Sequence, residues 1–217
     1  IAMAGVLLFV GQAFIQTLQM VGIAGSISLL LGIPFGVLLF TTKRGGILEN
    51  RPVHFLLSKF CDVFRSIPYI LLAMLLMSLS RLIMGTAIGV RGAIIPLLFG
   101  TIPYLGRQTE NALAEVPSGM IEAAQSTGAS PLEIIWRVYL KEAIPGIARG
   151  VTITLISLIN FTAMAGTLGA GGLGNFAYSY GYARNRNDVM VVVILIIIVM
   201  VSIIQALGTH IAKKATH

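Results

Sequence analysis

The chain has 217 residues, of which 56% are hydrophobic and only 11% charged, and its mean hydropathy is +0.91. Soluble domains carry about 25% charged residues, so this composition excludes a soluble globular fold. The net charge of +7 would suit a nucleic-acid binder, but basic residues on a membrane protein mostly mark cytoplasmic loops, and no nucleic-acid partner is expected.

Several uncharged runs approach or exceed the ~20 apolar residues that a transmembrane helix needs. They are continuous and do not alternate with period two, which favours helices over a lipid-facing barrel. The single Cys61 excludes an internal disulfide, and its place in a basic loop suggests a reducing compartment. The first apolar run lacks a basic n-region, so no cleavable signal peptide is expected.

Residues 1–42 carry no ionisable side chain, too long a stretch for one crossing. The first span is placed at 16–41, with 1–14 as an extra apolar turn or interfacial helix. Gly32 and Gly36 within it have the small-xxx-small spacing of a packing seam, and Pro34 predicts a kink. The second span is placed at 53–84, its charged first turns lying on the membrane surface or against a partner. "RSIP" at 65–68 marks a kink or helix start near the interface. "GTAIGVRG" (85–92) is a glycine-punctuated turn. The third span follows at 93–114, with a re-entrant segment as the alternative, and at its inner end Arg107 and Glu110 can pair on one face.

Residues 117–149 form an island of charge and turn residues, and the loop proper, 117–146, reads as two short helices with a tight break. Gly128 stands where a left-handed C-terminal cap is wanted. Ser130, Pro131 and Glu133 read as N-cap, first helical position and capping-box partner. Leu132, Ile135, Trp136 and Tyr139 then recur at helical spacing as an apolar stripe. The fourth span occupies 147–166. Within it Ile153, Ser157, Asn160 and Met164 share a face. That face either lines a water-accessible passage closed by Met164, or uses Ser157 and Asn160 for hydrogen bonds between helices. "GAGGLG" (169–174) reads as flexible outer-side backbone, a hinge or rim, and Tyr178, Tyr180 and Tyr182 after it as an interfacial belt rather than a binding cage. The fifth span is placed at 189–211. The expected fold is therefore all-α: one polytopic membrane unit over 1–217 with five transmembrane helices and a cytoplasmic helical hairpin.

Five spans put the two ends on opposite sides, and charge orients them. The loop at 43–65, the hairpin with its flanks, and the tail hold eleven of the fifteen Lys and Arg residues, against four on the other side. The hairpin and C-terminus are expected in the cytoplasm and the N-terminus outside.

No phosphate-binding G-x-x-x-x-G-K-[ST] run is present, so the chain is not expected to bind ATP by that device. No carboxylate stands mid-span to relay protons. "GAGGLG" follows a membrane span rather than a strand, which excludes a dinucleotide site. His54, His210 and His217 are scattered, giving no metal constellation, and no nucleophile–base pair suggests catalysis; no cofactor is expected. Energy then arrives from outside the chain, and the hairpin is the natural channel. The small face at Ala123 and Ala124 suits a groove, Gly128 permits the reversal, Glu122 can cap a helix or pair with a base, and the second arm leads into the fourth span.

Glu122-Ala123-Ala124, three residues, Gly128, nine residues, then Val138 and Leu140 resembles the EAA loop of type I ABC-importer permeases. Lys141 stands where that pattern has proline, with Pro145 four residues on. "FRSIPYI" (64–70), "NALAEVPSGMIEAA" (111–124) and "GAGGLGNFAYSYGY" (169–182) extend the resemblance toward the methionine-importing branch of the family. The resemblance implies a permease in the bacterial inner membrane that pairs with a second copy of itself. It implies a cytoplasmic ATPase dimer docked on 118–140 through Glu122, Ala123, Ala124, Gly128, Ala129 and Pro131. It also implies an extracytoplasmic substrate-binding protein and contact with membrane lipid. Import of another small amino acid or solute, a sodium-coupled carrier that needs no ATPase, and a membrane scaffold without an aqueous path are the competing readings.

Overall fold

The computed structural model describes residues 2–215, with side-chain surroundings from Leu8 onward, and among these residues every regular element is helical. Ile1, Thr216 and His217 lie outside the described residues.

Helix α1 (Ala2–Thr42) is continuous through Pro34, so residues 2–14 extend the first span rather than forming a separate interfacial piece. Forty-one residues rise roughly 60 Å, about twice the hydrocarbon thickness, and with no charged residue nothing interrupts the helix. It packs along α4 (Gly89–Ala114). A Cβ on Gly36 would stand 2.5 Å from Thr109 Cβ, and one on Gly32 3.0 Å from Leu105, so the glycine spacing is the packing seam it resembles.

The expected second span is two helices, α2 (Arg51–Ser66) and α3 (Tyr69–Met84), bent by 110° across Ile67 and Pro68. Asn50 caps α2, accepting from Val53 N–H at 3.2 Å. Pro68 lacks an N–H and disfavours helix at Ile67, which is extended at φ −83°, ψ 123°. The break lies beside Phe99 and Gly100, near the middle of α4, and not near an interface as the motif suggests: the Phe64 and Phe99 rings are 5.2 Å apart and Tyr69 adjoins Gly100.

After α4 come α5 (Ser118–Ser126), α6 (Pro131–Ile134), a π-helical turn at Ile135–Tyr139 and α7 (Leu140–Glu142), which leads into α8 (Ile144–Ala165). Beyond α8, two π-helical turns flank α9 (Gly172–Phe176), and α10 (Asn187–Ala215) closes the chain. The core runs between α1, α3, α4 and α8, around Met20, Tyr69, Leu97 and Leu158. A row of exposed residues on α10, from Val191 to Leu207, presents apolar surface that only lipid or another apolar partner can cover. Among the described residues four helices have the length and hydropathy of a membrane span, and the bent α2–α3 pair makes a fifth when taken as one broken span.

The glycine-rich stretch is packed, not loose. Gly171 and Gly172 have φ of +82° and +76°, and a side chain on either would collide with Gln16 or Thr17 of α1. The Gln16 amide oxygen accepts from Gly172 N–H at 2.7 Å, and the Thr17 hydroxyl from Leu173 N–H at 2.9 Å, so α1 caps α9 across 156 residues.

Candidate functional site

The hairpin is built by two local devices. At the end of α5, Gly128 adopts φ +80°; its N–H donates to Gln125 O at 3.0 Å and the Ala129 N–H to Ala124 O at 3.2 Å, a Schellman termination. Ser130 then starts α6. Its N–H donates to Glu133 Oε2 at 2.9 Å while its hydroxyl accepts from Glu133 N–H at 3.4 Å, with Pro131 in the first turn. The Ser130 N–H, followed by its hydroxyl, holds the Glu133 carboxyl below the usual carboxylate range.

These turns present one side of the hairpin to the outside. Glu122, Ala123, Gly128 and Pro131 are exposed, and Ala124 and Ala129 are half-buried. The Glu122 carboxylate has no ion-pair or hydrogen-bond partner among the described residues. The inward side is Ile121, Ile134 and Ile135, all buried. The expected stripe of Leu132, Ile135, Trp136 and Tyr139 is therefore split: Leu132 is 63% exposed and Trp136 72% exposed. Leu132 and Trp136, four residues apart, share the exposed side with Glu133 and Arg137, while Ile134 and Ile135 turn inward, so the buried face is rotated from the expected stripe.

The hairpin is fastened to three spans. Tyr139 and Leu140 pack with Phe40 of α1 and with Ala112 and Leu113 of α4, beside Ala143 and Ile147 at the start of α8. Arg149 donates to Glu115 at 2.9 Å, joining the two feet of the loop. Gly146 and Gly150 bring α8 against α4, where an added Cβ would lie 2.9 Å from Ala112 and from Gln108 respectively. The second arm of the hairpin thus contacts α1, α4 and α8 together.

Beside this junction, Arg107 of α4 reaches Glu110 at 2.7 Å, as their spacing predicts, and also Asp62 at 2.8 Å and the Ser58 hydroxyl at 2.7 Å on α2. The sequence holds a signal for the added partner, since Asp62 is the lone acid between Glu49 and Glu110.

On α8, Ile153, Asn160 and Met164 are exposed and Ser157 is half-buried. The Ser157 hydroxyl donates to Ile153 O of its own helix at 3.0 Å, not to another helix, and the Asn160 amide has no partner among the described residues. The four side chains form one continuous open strip with polar groups between apolar ends.

Comparison with known proteins places this arrangement. Residues 29–217 match the family described as binding-protein-dependent transport system inner membrane component. The chain is 48% identical over 202 residues to a probable D-methionine transport system permease protein, MetI, of Vibrio cholerae, covering 93% of this chain and 90% of that one. It is 42% identical over 151 residues to the D-methionine transport system permease protein MetI of Escherichia coli K12, covering 70% of each. Among solved structures, a chain from an inward-facing MetNI methionine ABC transporter superposes with a TM-score of 0.94 at 39% identity, covering 97% of this chain and 98% of that one.

Proposed function

The chain belongs to the family of inner membrane components of binding-protein-dependent transport systems, and from that premise we propose that it is the permease of an ATP-driven methionine importer. It works as a pair of identical copies. Two ATPase subunits dock from the cytoplasm on the α5–α7 hairpin, and a binding protein delivers solute from the other side. The observation that carries this reading is the hairpin itself: a doubly capped elbow that exposes Glu122, Ala123, Gly128 and Pro131 beside the apolar Leu132 and Trp136, and whose second arm packs on three spans.

The mechanism follows from that attachment. Closure of the ATPase dimer moves the hairpins toward one another, and the packing of Tyr139, Leu140 and Ala143 passes the movement to the inner ends of α1, α4 and α8. The paired copies then tilt about their shared face, so the passage opens alternately to either side. Ile153, Ser157, Asn160 and Met164 line that passage, and Met164 closes it with an unbranched, adaptable side chain. The excess of Lys and Arg on the hairpin side supports a cytoplasmic C-terminus and an N-terminus outside. Surrounding lipid covers the apolar face of α10.

Co-purification tests the reading. The wild-type permease is expected to retain its ATPase subunit through size-exclusion chromatography, and Glu122→Lys or Gly128→Trp to lose it. Equal retention by both variants would overturn the docking assignment.

A further inference from the structure

The break between α2 and α3 opens onto a cavity of about 620 Å³, within the range of small-molecule sites. Its wall combines a stacked aromatic pair, Tyr69 and Phe161 at 4.6 Å between centroids, with Arg65, Asp62 and Tyr104. Gly100 makes the room, because a Cβ there would stand 3.2 Å from the Tyr69 ring and 3.5 Å from Phe161.

Arg65 is the anomaly. It stands near the middle of α4's length, where an ionised side chain is costly unless paired or hydrated, and such residues mark solute pathways. It has no ion-pair or hydrogen-bond partner among the described residues; its nearest charge-stabilising contact is the face of Tyr104, 5.7 Å from the ring centroid. Asp62, one turn earlier, lines the same cavity and so stands deeper than the interface position its sequence context suggests; one of its oxygens is engaged by Arg107 at 2.8 Å. Beside Arg65, α3 begins uncapped at Pro68, so the positive end of a sixteen-residue helix adjoins the same space. Tyr69, on the lining, carries a buried hydroxyl without a partner among the described residues. A discontinuous span whose half-helix start and guanidinium share a mid-depth cavity suits an anionic group, and the adjoining rings suit an apolar body.

We propose that this cavity holds an amino-acid zwitterion in transit, Arg65 taking its carboxylate, the free Asp62 oxygen its ammonium, and Tyr69, Phe161 and Tyr104 its apolar side chain. The proposal rests on the importer reading above and supplies the solute site that reading lacks.

The test uses the complex of permease and ATPase subunits with a Ser66→Cys reporter on the cavity lining; Cys61 is buried and provides little background. Millimolar L-methionine is expected to slow maleimide labelling at least threefold. Methioninol, which lacks the carboxylate, should give no protection, and adding Arg65→Gln should abolish protection by methionine. Labelling indifferent to methionine, or protection that survives Arg65→Gln, would overturn the proposal. Should the Ser66→Cys complex not assemble, Ile67→Cys on the same lining gives the same readout. Uptake of tritiated methionine by vesicles holding the intact wild-type complex and its binding protein separates the two levels. Uptake without protection sinks the cavity alone, whereas absence of uptake sinks the importer reading with it.

Discussion

The Tyr139 ring stands edge-on to that of Phe40, with 5.1 Å between centroids and 72° between planes. The Lys43 ammonium lies 3.9 Å from the Phe40 centroid. One aromatic contact therefore ties the second arm of the hairpin to the C-terminal end of α1. Such pairs contribute about 0.5–1.5 kcal/mol beyond buried area. Tyr139→Ala is expected to reduce methionine uptake per ATP hydrolysed by several-fold, with Tyr139→Phe close to wild type. Parallel assays of uptake and phosphate release in vesicles check this; equal coupling in all three proteins would contradict it.

Gly128 is held at φ +80° with no heavy atom within 4 Å of the position its Cβ would take, so the penalty for substitution there is conformational rather than steric. Asparagine tolerates this region, alanine costs ~1–2 kcal/mol and a β-branched residue more. Retention of the ATPase subunit should fall in the order Gly, Asn, Ala, Val. A valine variant that binds as well as wild type would show that the turn does not shape the docking face.

The carboxyl of Glu133 has a lowered pKa in the folded hairpin, so its contribution is complete above the unfolded value of 4.5 and is lost as pH falls through the lower folded one. Hydrogen exchange of amides 131–134, corrected for intrinsic rate, should show constant protection from pH 7 to 5 and a decline below 4.5. Glu133→Gln should remove that decline, since it keeps an acceptor and cannot ionise.

Arg107 is 17% exposed and serves two carboxylates, of which Glu110 is 15% and Asp62 52% exposed. Arg107→Met leaves Glu110 largely buried without a counter-charge. The cost is roughly 2–3 kcal/mol, below the 3–5 of a fully buried pair because Asp62 reaches water. Thermal unfolding in detergent should show a lowered midpoint, and adding Glu110→Leu should recover most of it.

Single cysteines at Ser157 and Asn160 are expected to react with membrane-impermeant thiol reagents in the assembled transporter, as a wetted passage requires. Uniform protection along Ile153, Ser157, Asn160 and Met164 would remove that strip from the path.

Local chemistry was readable wherever a few neighbouring residues decide the backbone. Gly128, Ser130, Pro131 and Glu133 specify their turn and cap within six residues, and the structure forms both. Longer-range relations were not readable. Nothing near Gly172 announces that Gln16 and Thr17, 156 residues away, will receive its amides. The apolar residues Leu132, Ile134, Ile135, Trp136 and Tyr139 cover too much of the wheel for spacing alone to say which side turns inward, and the structure buries Ile134 and Ile135 and exposes Leu132 and Trp136. Pro68 signals a break, but its mid-depth position is set by Tyr69 fitting against Gly100 of another helix. The uncharged first 42 residues suggested two pieces because a bilayer needs only one span, whereas helix propagation continues where no residue opposes it.

Photo-crosslinking from the hairpin tests the central claim most directly. A photoreactive phenylalanine analogue replacing Trp136, which is 72% exposed, or Ala123 should form adducts with the ATPase subunit in the assembled complex, and one replacing Val192 on the outer face of α10 should not. No adduct from either hairpin position, together with adducts from some other cytoplasmic surface of the permease, would contradict the account.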